Sequence, residues 1–179
     1  CPVSRYTDAA RESDGNGHHT LAETESAVAE RLDGMSVDVE SMAAVQNIYR
    51  AANTIRNHLE QTVLAPHDLT WTGWVVLWVV WIWGDIETRH VAEEAGISKG
   101  TLTGVVGTLE KRGLLLRRTH PDDARRVLVA LTPKGRKLMN TLFPIFNAAE
   151  ARVTASLSTS DKTQLATSLR AVVAEVDEL

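Results

Sequence analysis

Cysteine is nearly missing from this chain of 179 residues: the single one is Cys1. That excludes an internal disulfide framework and any cysteine-rich zinc or iron–sulfur site, and it fits a reducing cytoplasm. Proline, at 5, and glycine, at 11, are too few for collagen-like, proline-rich or low-complexity sequence. Apolar runs stop short of the roughly 20 residues that a membrane helix needs. No apolar stretch follows a basic start, so a signal peptide is not expected, and the opening Cys1-Pro2 reads as a processed or cloned end. What the chain does have is apolar material. Hydrophobic residues make up 44% and charged residues 23%, enough for one or two cores and too much for disorder throughout.

The net charge of -4 conceals a division. Residues 1–98 hold 6 Lys and Arg against 15 Asp and Glu, residues 99–137 hold 10 against 3, and residues 138–179 hold 3 against 5. A basic block inside an acidic chain is the footprint expected of a module that meets a polyanion.

Residues 1–19, with the turn cluster Asp14-Gly15-Asn16-Gly17, read as a loose arm. Thr20 and Glu23 form a capping box for a short helix in which Leu21, Val28 and Leu32 share a face, closed by Gly34. A second helix is expected over about 39–63, because Met42, Val45, Tyr49, Ala52, Ile55 and Leu59 recur at three- and four-residue steps, and Pro66 stops it. Thr70 caps a segment that holds all five tryptophans within thirteen residues. Trp71, Trp74, Trp78 and Trp81 form one helical stripe, and valines and isoleucine fill the other faces, so this helix is expected to be buried nearly all round. The spacing then predicts a helix over 88–95, a turn at Gly96, a helix over 98–112 ended by Gly113, and a two-stranded hairpin of 114–118 and 126–131. A further helix runs from Pro133 towards about Leu157 with a bend at Pro144. A last one, capped by Ser158, carries the seam Leu165, Leu169, Val172, Val176 and Leu179, which calls for a partner helix.

Helix, tight turn, helix and hairpin inside the basic block is the winged helix-turn-helix arrangement. Ala92 is small where the two helices cross, Gly96 supplies the positive φ of the turn, and Leu102 and Val105 face the core. Ser98 caps the second helix, so that Lys99, Gly100, Thr101 and Thr103 point towards a major groove. Arg112, Arg117, Arg118 and Arg126, near strands and helix ends, suit phosphate contacts that position without reading bases.

From about Val39 to Leu179 the sequence resembles the MarR family of bacterial transcription regulators. Its most specific matches are Leu109-Glu110-Lys111-Arg112-Gly113-Leu114, Pro121-Asp122-Asp123-Ala124-Arg125 and Leu128-Val129-Ala130-Leu131-Thr132-Pro133-Lys134-Gly135-Arg136. The resemblance implies a mainly α fold with a small β wing. It also implies that Arg125 sits at the wing tip and enters the minor groove, held by Asp123, and that the first long helix and the last two helices form a homodimer. The expected divisions are 1–19, arm; 20–34, added helix; 35–69, dimerisation helix; 70–137, DNA-binding domain; and 138–179, C-terminal dimerisation helices. The implied function is a ligand-responsive repressor on a pseudo-palindromic duplex, with no cofactor.

Departures from the family pattern matter as well. Gly104 and Gly107 stand in the recognition helix where members commonly carry arginine or another polar residue. Urate-responsive members share the added helix, but they carry an aspartate where this chain has Val75 and a tryptophan in that helix; urate is disfavoured. Peroxide sensing through an internal cysteine is excluded. As MarR-like proteins often bind small phenolic or carboxylic compounds, Trp74, Trp78 and Trp81 are candidates for an aromatic ligand pocket, although a stripe at helical spacing more often packs a core.

Two other readings stand beside this one. A winged helix can serve as a protein-interaction or architectural module, and the two glycines favour that. Gly96-Ile97-Ser98-Lys99-Gly100 matches G-x-S-x-G, yet a nucleophile elbow needs a preceding strand and here a helix is expected, so an enzyme is not. Histidines 58, 67 and 90 lack metal-ligand spacing, His18 and His19 lie in the arm, and Cys1 is expected to be an exposed end.

Overall fold

The computed structural model describes residues 19–178, so residues 1–18 of the arm, Cys1 and His18 among them, and the last seam position, Leu179, lie outside the described residues. The chain divides into two units, Cys1–Thr54 and Ile55–Leu179.

In the first unit, α1 (Leu21–Leu32) starts at a capping box: the Glu23 N–H donates to Thr20 Oγ1 at 3.1 Å, and the Thr20 N–H donates to the Glu23 carboxylate at 2.6 Å. Val28 and Leu32 are half-buried. The long helix α2 (Val39–Leu59) begins where Asp38 accepts from the Ser41 N–H, and an Arg50–Glu25 ion pair at 3.8 Å links it to α1. Met35, Val37, Val39, Val45 and Tyr49 are exposed.

Past Leu59 the chain keeps winding, where the sequence pattern implied a plain helix to 63 and a stop at Pro66. One π turn (Glu60–Leu64) passes into a 3₁₀ turn (Ala65–His67) that contains Pro66. A 3₁₀ turn accepts proline near its start, where no N–H is required. Thr70 then caps α3 (Trp71–Trp83) by accepting from the Gly73 N–H at 3.1 Å. Val76, Leu77, Val79 and Val80 are at most 1% exposed. Each contributes roughly 1.5–3 kcal/mol of burial, which makes α3 the centre of the second unit, Ile55–Leu179. It is not buried all round, however: Trp78, Ile82 and Trp83 are exposed, and Trp74 is the one tryptophan packed fully inside. Of the stripe, Trp74 lies in the core, Trp71 and Trp81 pack against it half-buried, and Trp78 faces out.

Around α3 pack α4 (Thr88–Glu94), α5 (Lys99–Lys111), the sheet and α6 (Pro133–Val153). The core draws Leu102, Val106 and Leu109 from α5, and Met139, Leu142, Phe146 and Ala149 from α6. Val105 packs against the core half-buried, as expected, and Val106, four residues from Leu102 on the same face, is buried fully. Helix α6 ends at Val153, short of Leu157.

Strands β2 (Leu115–His120) and β3 (Asp123–Leu131) form the expected hairpin, with Leu115 opposite Leu131 and Arg117 opposite Val129. A third strand, β1 (Ile86–Glu87), which the sequence reading missed, pairs antiparallel with the far edge of β3, Ile86 opposite Val129. Two residues are too few to show alternation. Last comes α7 (Thr159–Glu178), capped reciprocally by Ser158 and Asp161, with no buried residue.

Candidate nucleic-acid interface

Two tight turns place the recognition helix. Gly96, at φ 61°, closes α4, and the Ile97 N–H returns to the Ala92 carbonyl at 3.0 Å. Gly113, at φ 69°, closes α5 in the same way, with the Leu114 N–H on the Leu109 carbonyl at 2.9 Å. Both glycines occupy the left-handed region that side chains disfavour. Ala92 is buried at the crossing of α4 and α5. Ser98 Oγ accepts from the Thr101 N–H at 3.1 Å and lies 2.9 Å from Thr101 Oγ1. A serine occupied as a helix cap, preceded by a helix, is no nucleophile elbow.

Ser98, Lys99, Gly100, Thr101 and Thr103 are all exposed. Lys99, Thr103 and Arg117 line one groove of about 470 Å³, together with Thr88, Arg89 and Val127, over a floor of Leu102 and Val106. Arg89, at the start of α4, was not singled out from sequence; its position in the first turn after a polar link was the available signal.

The wing arginines are each held. Arg117 donates to Glu110 at 2.5 Å, Arg118 to Asp85 at 3.2 Å, and Arg126 to Glu87. The last two tie β1 and the residue before it to the wing. The Arg126 guanidinium, helped by Arg89, holds the Glu87 carboxyl below its ordinary range. At the tip, Asp123 Oδ1 accepts the Arg125 N–H at 3.0 Å and its Nε–H at 3.2 Å, and Arg125 holds the Asp123 carboxyl below its ordinary range. The Arg125 side chain is nevertheless 91% exposed. Arg112 is turned elsewhere: it donates to the carbonyls of His67 at 2.8 Å and Asp68 at 2.5 Å. Beside the wing, Arg136 and Lys137 of α6 share a second, open cleft with Arg118.

A family model described as the MarR family matches residues 69–127. An HTH-type transcriptional regulator of Bacillus subtilis, YwaE, is 33% identical over 161 residues, 88% of this chain and 94% of the relative. The chain belongs to the MarR family. It is a DNA-binding transcriptional regulator of the MarR type, not an enzyme. Among solved structures, BpsR of Bordetella bronchiseptica, whose DNA binding is regulated by 6-hydroxynicotinic acid, is 27% identical with a TM-score of 0.66, over 73% of this chain and 98% of that one. Apo MarR of E. coli, 23% identical with a TM-score of 0.62 over 71% and 93%, shares the fold.

A separate aromatic cavity of about 340 Å³ opens between α3 and α6 of this MarR-family chain, lined by Trp71, Trp74, Val75, Trp78, Phe143, Phe146 and Glu150. Trp74 stacks on Phe146 with centroids 4.5 Å apart. Trp81 does not line this cavity: it packs on Phe143, and its indole N–H donates to Asn140 Oδ1 at 3.1 Å. Among the described residues no group of three or more His, Cys, Asp or Glu is placed to hold a metal ion. No described helix is long and apolar enough to cross a membrane.

Proposed function

We propose that the protein is a cytoplasmic homodimeric repressor that sits on a pseudo-palindromic operator and leaves it when a small aromatic compound binds. The observation that carries the dimer is the seam on α7: Leu165, Leu169, Val172 and Val176 are exposed along a helix of 20 residues. An apolar seam of that spacing takes a partner helix. The exposed Val45 and Tyr49 of α2 support residues 35–69 as a second dimerisation element beside 138–179. Residues 70–137 are the DNA-binding domain.

In the dimer, two-fold symmetry brings the α5 helices into successive major grooves about 34 Å apart. Ser98, Lys99, Gly100, Thr101 and Thr103 face the bases. Arg125, braced by Asp123, enters the flanking minor groove. Arg117, Arg118 and Arg126 lie against phosphates, whereas Arg112 contributes mainly by bracing the turn at 67–68. The aromatic cavity, with Trp74 and Trp78 on its wall, suits a flat ring; Trp81 supports it from behind. Regulation of BpsR by 6-hydroxynicotinic acid supports the ligand step. Glu150 is the only charged lining residue, so a neutral phenol is favoured over a carboxylate such as salicylate.

Sedimentation with and without a bound duplex tests the assembly: two chains per duplex are expected, and a monomer at micromolar concentration overturns it. A neutral phenol at millimolar concentration is expected to quench tryptophan fluorescence and lower DNA affinity together; no change in either removes the ligand step.

A further inference from the structure

The outer face of the recognition helix is built almost entirely from two residue types. Leu102, Val106 and Leu109 are buried, while Gly100, Thr101, Thr103, Gly104 and Thr108 are exposed and Gly107 is half-buried. No charged or amide side chain stands between Lys99 and Glu110. Guanine is read by arginine or lysine and adenine by asparagine or glutamine. Apart from Lys99 at the start and Lys111 at the far end, this face offers none of them.

Thr103 and Thr108 have also committed their hydroxyl protons to the helix, and the Thr101 hydroxyl is engaged by the cap. Thr103 Oγ1 donates to the Lys99 carbonyl at 2.9 Å, Thr108 Oγ1 donates to the Gly104 carbonyl at 3.0 Å, and Thr101 Oγ1 shares a hydrogen bond with Ser98 Oγ. All three threonines are exposed. The glycines, for their part, answer to nothing inside the fold. A Cβ added at Gly104 or Gly107 meets no atom within 4 Å, and neither residue has a positive φ. Glycine in mid-helix is unfavourable relative to alanine, so a residue that packing does not require points to a demand from outside the chain.

We propose that this face reads thymine. The missing side chains at Gly104 and Gly107 let the helix backbone approach the groove floor, and the Thr101, Thr103 and Thr108 methyls pack against thymine C5-methyl groups, the apolar mark of an A·T pair in the major groove. The half-site is then specified by thymine methyls rather than by hydrogen bonds to guanine. The inference rests on the DNA-binding role of this helix and names what the helix recognises.

The test uses the full chain and a duplex selected by it from a random-sequence pool. Thymines are expected at the half-site positions protected in the major groove. Replacing them with deoxyuridine removes only the methyl and is expected to weaken binding about fourfold per methyl. Gly104→Ala is expected to raise the melting temperature by about 2–4 °C while weakening binding to the thymine duplex at least about fivefold. Half-sites specified by guanine, a deoxyuridine duplex bound as tightly as the thymine duplex, or unchanged affinity in Gly104→Ala would each overturn the proposal. If no duplex is enriched, the failure lies with the DNA-binding role of the helix itself, and the thymine reading falls with it.

Discussion

Asp123 and Arg125 form a closed pair at the wing tip, in which one carboxylate oxygen accepts both the backbone N–H and the Nε–H of the arginine. The carboxylate thereby holds one edge of a guanidinium on a side chain that stays 91% exposed. Such a group costs little when the protein is alone and is ordered in advance for a partner.

Arg125→Ala is therefore expected to leave thermal stability within about 0.5 kcal/mol of the parent, because the lost side chain is exposed. It should lower operator affinity by about 1–3 kcal/mol. Asp123→Ala keeps the charge but loses its brace, so a smaller loss is expected. Fluorescence anisotropy on one duplex ranks the three proteins, and equal affinities would remove the tip from the interface.

Acid should loosen the wing before the core. Asp123 and Glu87 titrate below their ordinary range because Arg125 and Arg126 bond to their charged forms. Groups depressed in the folded state stabilise it above their unfolded pKa, and that contribution disappears as pH falls through the folded value. Stability from these pairs should hold from neutrality down to about pH 5 and decline below that. Melting curves across this range check it, and Glu87→Gln should flatten the acid limb.

Arg112→Ala should act on stability more than on DNA. Its guanidinium bonds the carbonyls of His67 and Asp68, 45 and 44 residues away in the chain, and Asp68 sits at φ 54°. Loss of charged hydrogen bonds of this kind costs about 1.5–3 kcal/mol. Urea denaturation is the measurement, with the largest loss expected among single wing or helix-end arginines.

Gly135 stands where the first turn of α6 meets the end of the recognition unit. A Cβ there would lie 2.1 Å from the Leu114 carbonyl oxygen, a backbone atom that cannot swing away. Gly135→Ala should destabilise by about 1–3 kcal/mol, the cost of overpacking, whereas Gly104→Ala should stabilise. Opposite signs for the same substitution, read by denaturation, separate a glycine the fold requires from one it does not.

Local chemistry made most of the fold legible beforehand. The Thr20, Thr70, Ser98 and Ser158 caps and the Gly96 and Gly113 turns lie where short-range hydrogen bonding and φ preferences put them. What was hidden is non-local. Strand β1 exists because β3 offers an edge to Ile86 and Glu87, and Arg112 finds its carbonyl partners across the fold. The exposure of Trp78 was equally unreadable, since α3 is apolar on every face and periodicity cannot choose its outer side. Of the candidate site, the exposed start of α5 at residues 98–103 and the place of Arg125 in the hairpin were legible; the arginine ion pairs with Asp85, Glu87 and Glu110 were not, because each pair closes through tertiary structure.

The most direct test of the central claim is recovery of duplexes from the fragmented source genome by the purified full chain at near-physiological salt, with the bound fragments sequenced. A dimeric regulator should enrich one inverted repeat whose half-site centres lie about one helical turn apart, with affinity falling steeply as salt rises. Enrichment of isolated half-sites, or of nothing above background, would contradict the account.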